Sequence, residues 1–121
     1  MIYGIGLDIV ELSRIKRLLE KNPRFEKRIL TSPEQKRLER LRGNRRIEYV
    51  AGRFAAKEAF VKAAGTGISV HYGFQDISIL NNDLGKPILT HPPRDIVAHL
   101  SITHSKDYAA AQVALEKQDS R

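Results

Sequence analysis

Three side chains in this sequence have the types and spacing for phosphate and metal chemistry: Asp8, Glu58 and Lys62. Glu58 and Lys62 lie in "FAAKEAFVKAAGTG", residues 54 to 67, and stand one helical turn apart. At about 100° per residue, Val50, Ala51, Phe54, Glu58 and Val61 share one arc, with Lys62 on its edge. An ionised carboxylate on an apolar arc is costly unless it is paired or binds a cation. The Gly65-Thr66-Gly67 sequel can offer backbone N–H groups to an anion. Magnesium takes one or two carboxylates and completes its shell with water and substrate phosphates. Asp8 and Glu58 supply that pair if the first strand lies beside the long helix. The plainer readings are a surface Asp8 or helix cap, a rim-exposed Glu58, or a Glu-to-Lys helix pair of about 0.2–0.5 kcal/mol.

A weaker candidate is "SITHSKDY", where His104 follows Thr103 and precedes Lys106, a set suited to a phosphate or ribose. A histidine ending a strand is more often structural. The chain carries no serine–histidine–acid spacing, zinc motif, P-loop or dinucleotide glycine pattern.

The elements that must position these residues follow from periodicity. "IYGIGLDIV" alternates as a strand, with Tyr3, Ile5, Leu7 and Ile9 on one face and Gly4, Gly6, Asp8 and Val10 on the other. The two glycines leave room for a close approach to the backbone. Ser13 is expected to cap a helix running to about Glu20, which "NPRF" ends. Ser32 caps a second helix with Pro33 at its first position. "GNRR" precedes the longest helix, about 47 to 64. "FQDISIL" and "KPILT", joined by "NNDLG", predict a hairpin, and 92–100 has room for one short helix. "LSITHSKDYAAAQVAL" predicts two strands joined near Ser105-Lys106-Asp107. The expectation is a single α+β domain over residues 1–121, helices mostly first, antiparallel sheet mostly second, its last few residues frayed.

The 121 residues suffice for one core, and the absence of cysteine excludes disulfides and thiolate sites. No apolar run is long enough for a bilayer and no signal-peptide pattern opens the chain, so a cytoplasmic protein without membrane attachment is expected. The net charge of +7, concentrated between Arg14 and Arg53, implies an anionic partner docked on the first half.

"GIGLDIVELSRI" (4–15), "FAAKEAFVKAAGTGI" (54–68) and "SITHSKDYAAAQV" (101–113), with "GKP" at 85–87, closely resemble the bacterial holo-acyl-carrier-protein synthases. These are short, single-domain 4'-phosphopantetheinyl transferases, and the resemblance spans essentially the whole chain. It implies transfer of the 4'-phosphopantetheine arm of coenzyme A to a serine of apo acyl-carrier protein, with release of adenosine 3',5'-bisphosphate, in fatty acid biosynthesis. By motif position, Asp8 and Glu58 would hold Mg²⁺, and Lys62 would face the pyrophosphate. Arg53 and His104 would lie near the adenosine 3'-phosphate, and Thr103 would be a further coenzyme A-binding residue. Gly65 and the turn Gly85-Lys86-Pro87 would line the coenzyme A groove. The resemblance further implies carrier-protein docking on Arg14, Leu18, Lys21, Arg24 and Phe25, and a homotrimer with active sites between subunits. The connection over 88–100 is shorter than the family's usual one, which bears on the groove edge and subunit contact. Against this stands a basic RNA- or ribosome-binding module, in which Asp8, Glu58 and Lys62 would have no role.

Overall fold

The computed structural model describes residues 1–65, 72–90, 92 and 94–118. Strand β1 (Ile2–Glu11) leads directly into helix α1 (Leu12–Lys21). Short helices α2 (Phe25–Ile29) and α3 (Ser32–Glu39) follow, then the long helix α4 (Asn44–Ala64). A 3-10 turn at Phe74–Asp76 opens the hairpin of β2 (Ser78–Asn81) and β3 (Pro87–Thr90). Strands β4 (Ile96–His104) and β5 (Tyr108–Lys117) end the chain's regular structure. The main sheet runs β1-β5-β4, antiparallel throughout, with Asp8 opposite Ala111 and His104 opposite Ala109.

Helix α4 lies on one face of this sheet and fills the core with Val50, Ala51, Ala55, Ala59, Phe60 and Val61. The glycine face of β1 is what receives it. A Cβ at Gly4 or Gly6 would overlap the backbone carbonyl of Ala63 or Ala59, so helix and strand meet backbone to backbone. That contact fulfils the close approach expected from the glycines. The opposite face of β1 stays open: Ile5, Leu7 and Ile9 are each 64% exposed.

Several boundaries differ from expectation for local physical reasons. The backbone of Glu11, not Ser13, occupies the cap position of α1, which starts as soon as β1 stops pairing. Thr31, not Ser32, caps α3 in a reciprocal capping box with Glu34. Helix α4 begins at Asn44, behind Gly43 at φ 59°. The short helix expected within 92–100 is corrected to strand from Ile96, because pairing with Lys117 to Val113 of β5 recruits the segment.

A buried ion pair ties the helices to the hairpin. Lys57 Nζ donates to Glu34 Oε1 at 2.6 Å, Ile29 O at 2.7 Å and Phe74 O at 2.9 Å, which uses all three of its protons. Glu34 also accepts from Thr31 N and Ile79 N, both at 2.8 Å. Burial pulls the Lys57 ammonium below the usual lysine range, and the Glu34 carboxylate opposes that shift.

Candidate active site

The contact of β1 with α4 brings Asp8, Glu58 and Lys62 together. Lys62 Nζ donates to Asp8 Oδ1 at 2.9 Å and to Leu7 O at 3.1 Å. The pair is partly open, with side-chain exposures of 52% for Lys62 and 17% for Asp8. Glu58 is half-buried beside it. Burial raises the Glu58 carboxyl above the usual glutamate range, and the negative charge of Asp8 adds to the shift; Lys62 and Arg14 act against it. Two carboxylates repelling each other next to an ammonium form an environment that a divalent cation would relieve. Among the described residues no cluster of three or more His, Asp or Glu could hold a metal. A cation here would therefore rest on two protein carboxylates and take its other oxygens from ligand and water, the pattern of magnesium on phosphates.

Gly65 has a role different from the one expected of the Gly-Thr-Gly loop. At φ 77° it ends α4 in the left-handed region, and its N–H donates to Val61 O and Lys62 O at 3.0 and 3.1 Å. Its amide is thus engaged by the helix. Thr66 and Gly67 lie outside the described residues.

The turn Gly85-Lys86-Pro87 is tightly built, with Gly85 and Lys86 exposed and Pro87 half-buried. Asn82 Oδ1 accepts from Leu84 N and Lys86 N at 3.0 and 2.9 Å, and Gly85 takes φ 83°. Arg53 anchors this hairpin from below. It is only 7% exposed, stacks over the Tyr49 ring at 4.2 Å, and donates to Ile79 O at 3.2 Å and Asn81 Oδ1 at 3.1 Å. Burial lowers the Arg53 guanidinium from its ordinary range, with Tyr49 and Glu34 opposing. Arg53 and His104, both expected near the adenosine 3'-phosphate, have separate partners within the chain: His104 Nδ1 lies 3.2 Å from Glu48 Oε2. Thr103 projects from the other face of β4, where it lines a shallow depression with Leu7, Ser101 and Gln112.

On the docking side, Arg14, Lys21 and Arg24 are exposed and Leu18 is half-buried. Phe25, expected as a surface contact, is corrected to a core residue: it is 8% exposed and packs on Phe54 at a centroid distance of 6.3 Å. Reading the sequence missed Glu48 and the Lys57–Glu34 pair. The one local signal for Glu48 is its place one turn before Gly52, where α4 comes close to Ile102 of β4.

Comparison with known proteins covers the same ground. Residues 4–114 match the family model described as the 4'-phosphopantetheinyl transferase superfamily. A holo-[acyl-carrier-protein] synthase of Halalkalibacterium halodurans is 57% identical over 120 residues, covering 99% of this chain and 100% of its own. The crystal structure of a holo-(acyl-carrier-protein) synthase from Bacillus anthracis in complex with CoA (3',5'-ADP) superposes with a TM-score of 0.92 at 52% identity, over 98% of this chain and 99% of that one. The synthase from Neisseria meningitidis gives a TM-score of 0.87 at 40% identity, over 97% and 100%.

Proposed function

The chain belongs to the 4'-phosphopantetheinyl transferase superfamily, and on that premise we propose the reaction its site performs. It moves the 4'-phosphopantetheine arm of coenzyme A to a serine hydroxyl of apo acyl-carrier protein and releases adenosine 3',5'-bisphosphate. The observation that carries the residue assignment is the convergence of Asp8, Glu58 and Lys62 at the β1–α4 contact. The nucleic-acid alternative is not supported, since the full-length relatives are synthases and that alternative gives these three residues no task.

In the transfer, the serine oxygen forms a bond to the pantetheine-bearing phosphorus while the bond from that phosphorus to the bridging oxygen breaks. Such transfers depend on in-line positioning and on neutralising the phosphate charge. Asp8 and Glu58 would hold Mg²⁺, which supplies Lewis-acid stabilisation and a template for the pyrophosphate. Lys62 adds a mobile positive charge at the same place and balances the leaving bisphosphate. The serine proton passes to a carboxylate of the pair. The turn at Gly85, Lys86 and Pro87, held by Arg53, would line the groove for coenzyme A.

Two features favour active sites shared between copies in a homotrimer. Glu48, which holds His104, and Glu58 stand about 15 Å apart along α4 at 1.5 Å per residue, so one chain presents the two parts of a donor site at separate places. The exposed Ile5, Leu7 and Ile9 are an apolar sheet face suited to burial against another copy. The carrier would dock on Arg14, Leu18, Lys21 and Arg24, the basic side of α1 and its exit. Arg14 stands near enough to Glu58 to act on it electrostatically. With an acyl-carrier protein as acceptor, the reaction would serve fatty acid biosynthesis.

Incubation with coenzyme A, Mg²⁺ and apo acyl-carrier protein, followed by mass spectrometry of the carrier, is expected to show the added phosphopantetheine. Unchanged mass across several carriers overturns the reading.

A further inference from the structure

The ion pair of Glu48 and His104 is absorbed by neither the metal site nor the carrier surface. Its two residues come from elements that the fold brings together with little freedom. Glu48 sits in the second turn of α4, four residues before Gly52, where the absence of a side chain lets the helix settle on Ile102 of β4. His104 is the last residue of β4, and the turn after it is pinned twice. Ser105 N donates to Tyr108 O at 2.8 Å, and Leu12 N at the start of α1 donates to Asp107 O at 2.9 Å. The backbone under His104 is therefore fixed by three elements, and the remaining freedom is the orientation of its ring. Glu48 Oε2, 3.2 Å from Nδ1, removes that freedom.

The surroundings favour this partner over others. Beside Glu48 opens a cavity of about 370 Å³, which Glu11, Lys16, Asn44, Lys106, Asp107 and Tyr108 also line. Two ammonium groups thus stand near the carboxylate, yet the ion pair Glu48 makes among the described residues is with the imidazole. With Nδ1 3.2 Å from Glu48, the other ring nitrogen, Nε2, has no ion-pair partner among the described residues, on a side chain that is 53% exposed. A carboxylate 3.2 Å from one ring nitrogen orients the imidazole and leaves the other nitrogen to meet a phosphate oxygen.

We propose that Glu48 is a positioning residue for the donor: it holds His104 so that Nε2 faces the 3'-phosphate of coenzyme A, and thereby gives the enzyme its preference for the 3'-phosphorylated nucleotide. The proposal rests on the assignment of His104 to that phosphate. Its chemistry lies in selecting the donor, and the bond-making step is untouched by it.

The test compares coenzyme A with 3'-dephospho-coenzyme A as donors for wild type, Glu48→Ala, Glu48→Gln and His104→Ala. Glu48→Ala frees the His104 ring and is expected to raise the KM for coenzyme A by about tenfold with kcat little changed. Its KM for the dephospho donor should stay as in wild type, so that the preference collapses. Glu48→Gln keeps an acceptor for Nδ1 and should recover part of the preference. A general packing defect would weaken both donors alike and would not respond to glutamine. If His104→Ala also leaves the preference intact, the assignment of His104 fails. If His104→Ala abolishes it while Glu48→Ala does not, the role of Glu48 is refuted and that of His104 stands.

Discussion

Glu58 is placed where its own ionisation is unfavourable. Burial and the neighbouring Asp8 hold its carboxyl above the usual range, so the folded protein binds its proton more tightly than the unfolded chain does. A carboxyl raised in the folded state contributes stability that is complete at low pH and is lost as pH rises through its folded value. Once the pH has risen past that folded value, the metal-free protein carries the cost of an ionised Glu58. Glu58→Gln removes that cost, and its melting temperature in EDTA is expected to exceed that of wild type at pH 7, with the gap closing toward pH 4. The same variant should lose about two or more orders of magnitude in kcat, as removal of one charge-stabilising group commonly does. Added Mg²⁺ should raise the melting point of wild type and leave that of Glu58→Gln nearly unchanged. Thermal scans with and without metal, alongside turnover, measure all of this; a variant less stable than wild type in EDTA at pH 7 would contradict the electrostatic account.

At the scale of elements, the site is a product of how closely β1 and α4 approach. Gly6 lies against the carbonyl of Ala59, and any side chain there must push the helix away. Gly6→Ala is expected to destabilise the fold by about 1–3 kcal/mol, in the range of overpacked cores, and to loosen the 2.9 Å contact of Lys62 with Asp8. Chemical denaturation and turnover should fall together, whereas an alanine at the exposed Gly85 should cost stability through its φ of 83° without disturbing that contact. Asp8, Glu58 and Lys62 could be picked out from the sequence because helical spacing and glycine alternation are local signals. The hairpin was legible too, since "NNDLG" supplies both the Asn82 side-chain acceptor and a left-handed glycine. The strand from Ile96 was not, because a short apolar run has no decisive period and its assignment comes from β5. Helix α2, five residues long, is too short to show a period at all. Lys57–Glu34 and His104–Glu48 stayed hidden for a related reason: each joins residues that only the folded chain makes neighbours.

For the whole molecule, the open sheet face governs behaviour. Ile5, Leu7 and Ile9 would leave an isolated chain with an apolar stripe in water, which assembly into the proposed trimer covers. Leu7→Asp places a charge in the middle of that stripe and is expected to give monomers by sedimentation, with native circular dichroism and transfer activity largely lost. A variant that still sediments as wild type would remove this face from the subunit contact. The net charge of +7 acts at longer range: attraction to an acidic carrier should quicken association at low salt, and kcat/KM for the carrier should fall as ionic strength rises.

Lys57 and Glu58 are consecutive, yet one is sealed among α2, α3 and the hairpin while the other borders the reacting centre. Adjacent helix positions differ by about 100° in direction, so inserting or deleting one residue between Asn44 and Lys57 would turn the rest of α4 by that angle. The ammonium would leave its buried carboxylate and the reactive glutamate would swing away from Asp8, both in a single event. A residue inserted at the hairpin tip, between Asn82 and Gly85, is expected to leave both contacts in place, because that turn carries no such phase. The spacing within α4 thus ties the buried core pair and the reacting centre to a single helical phase.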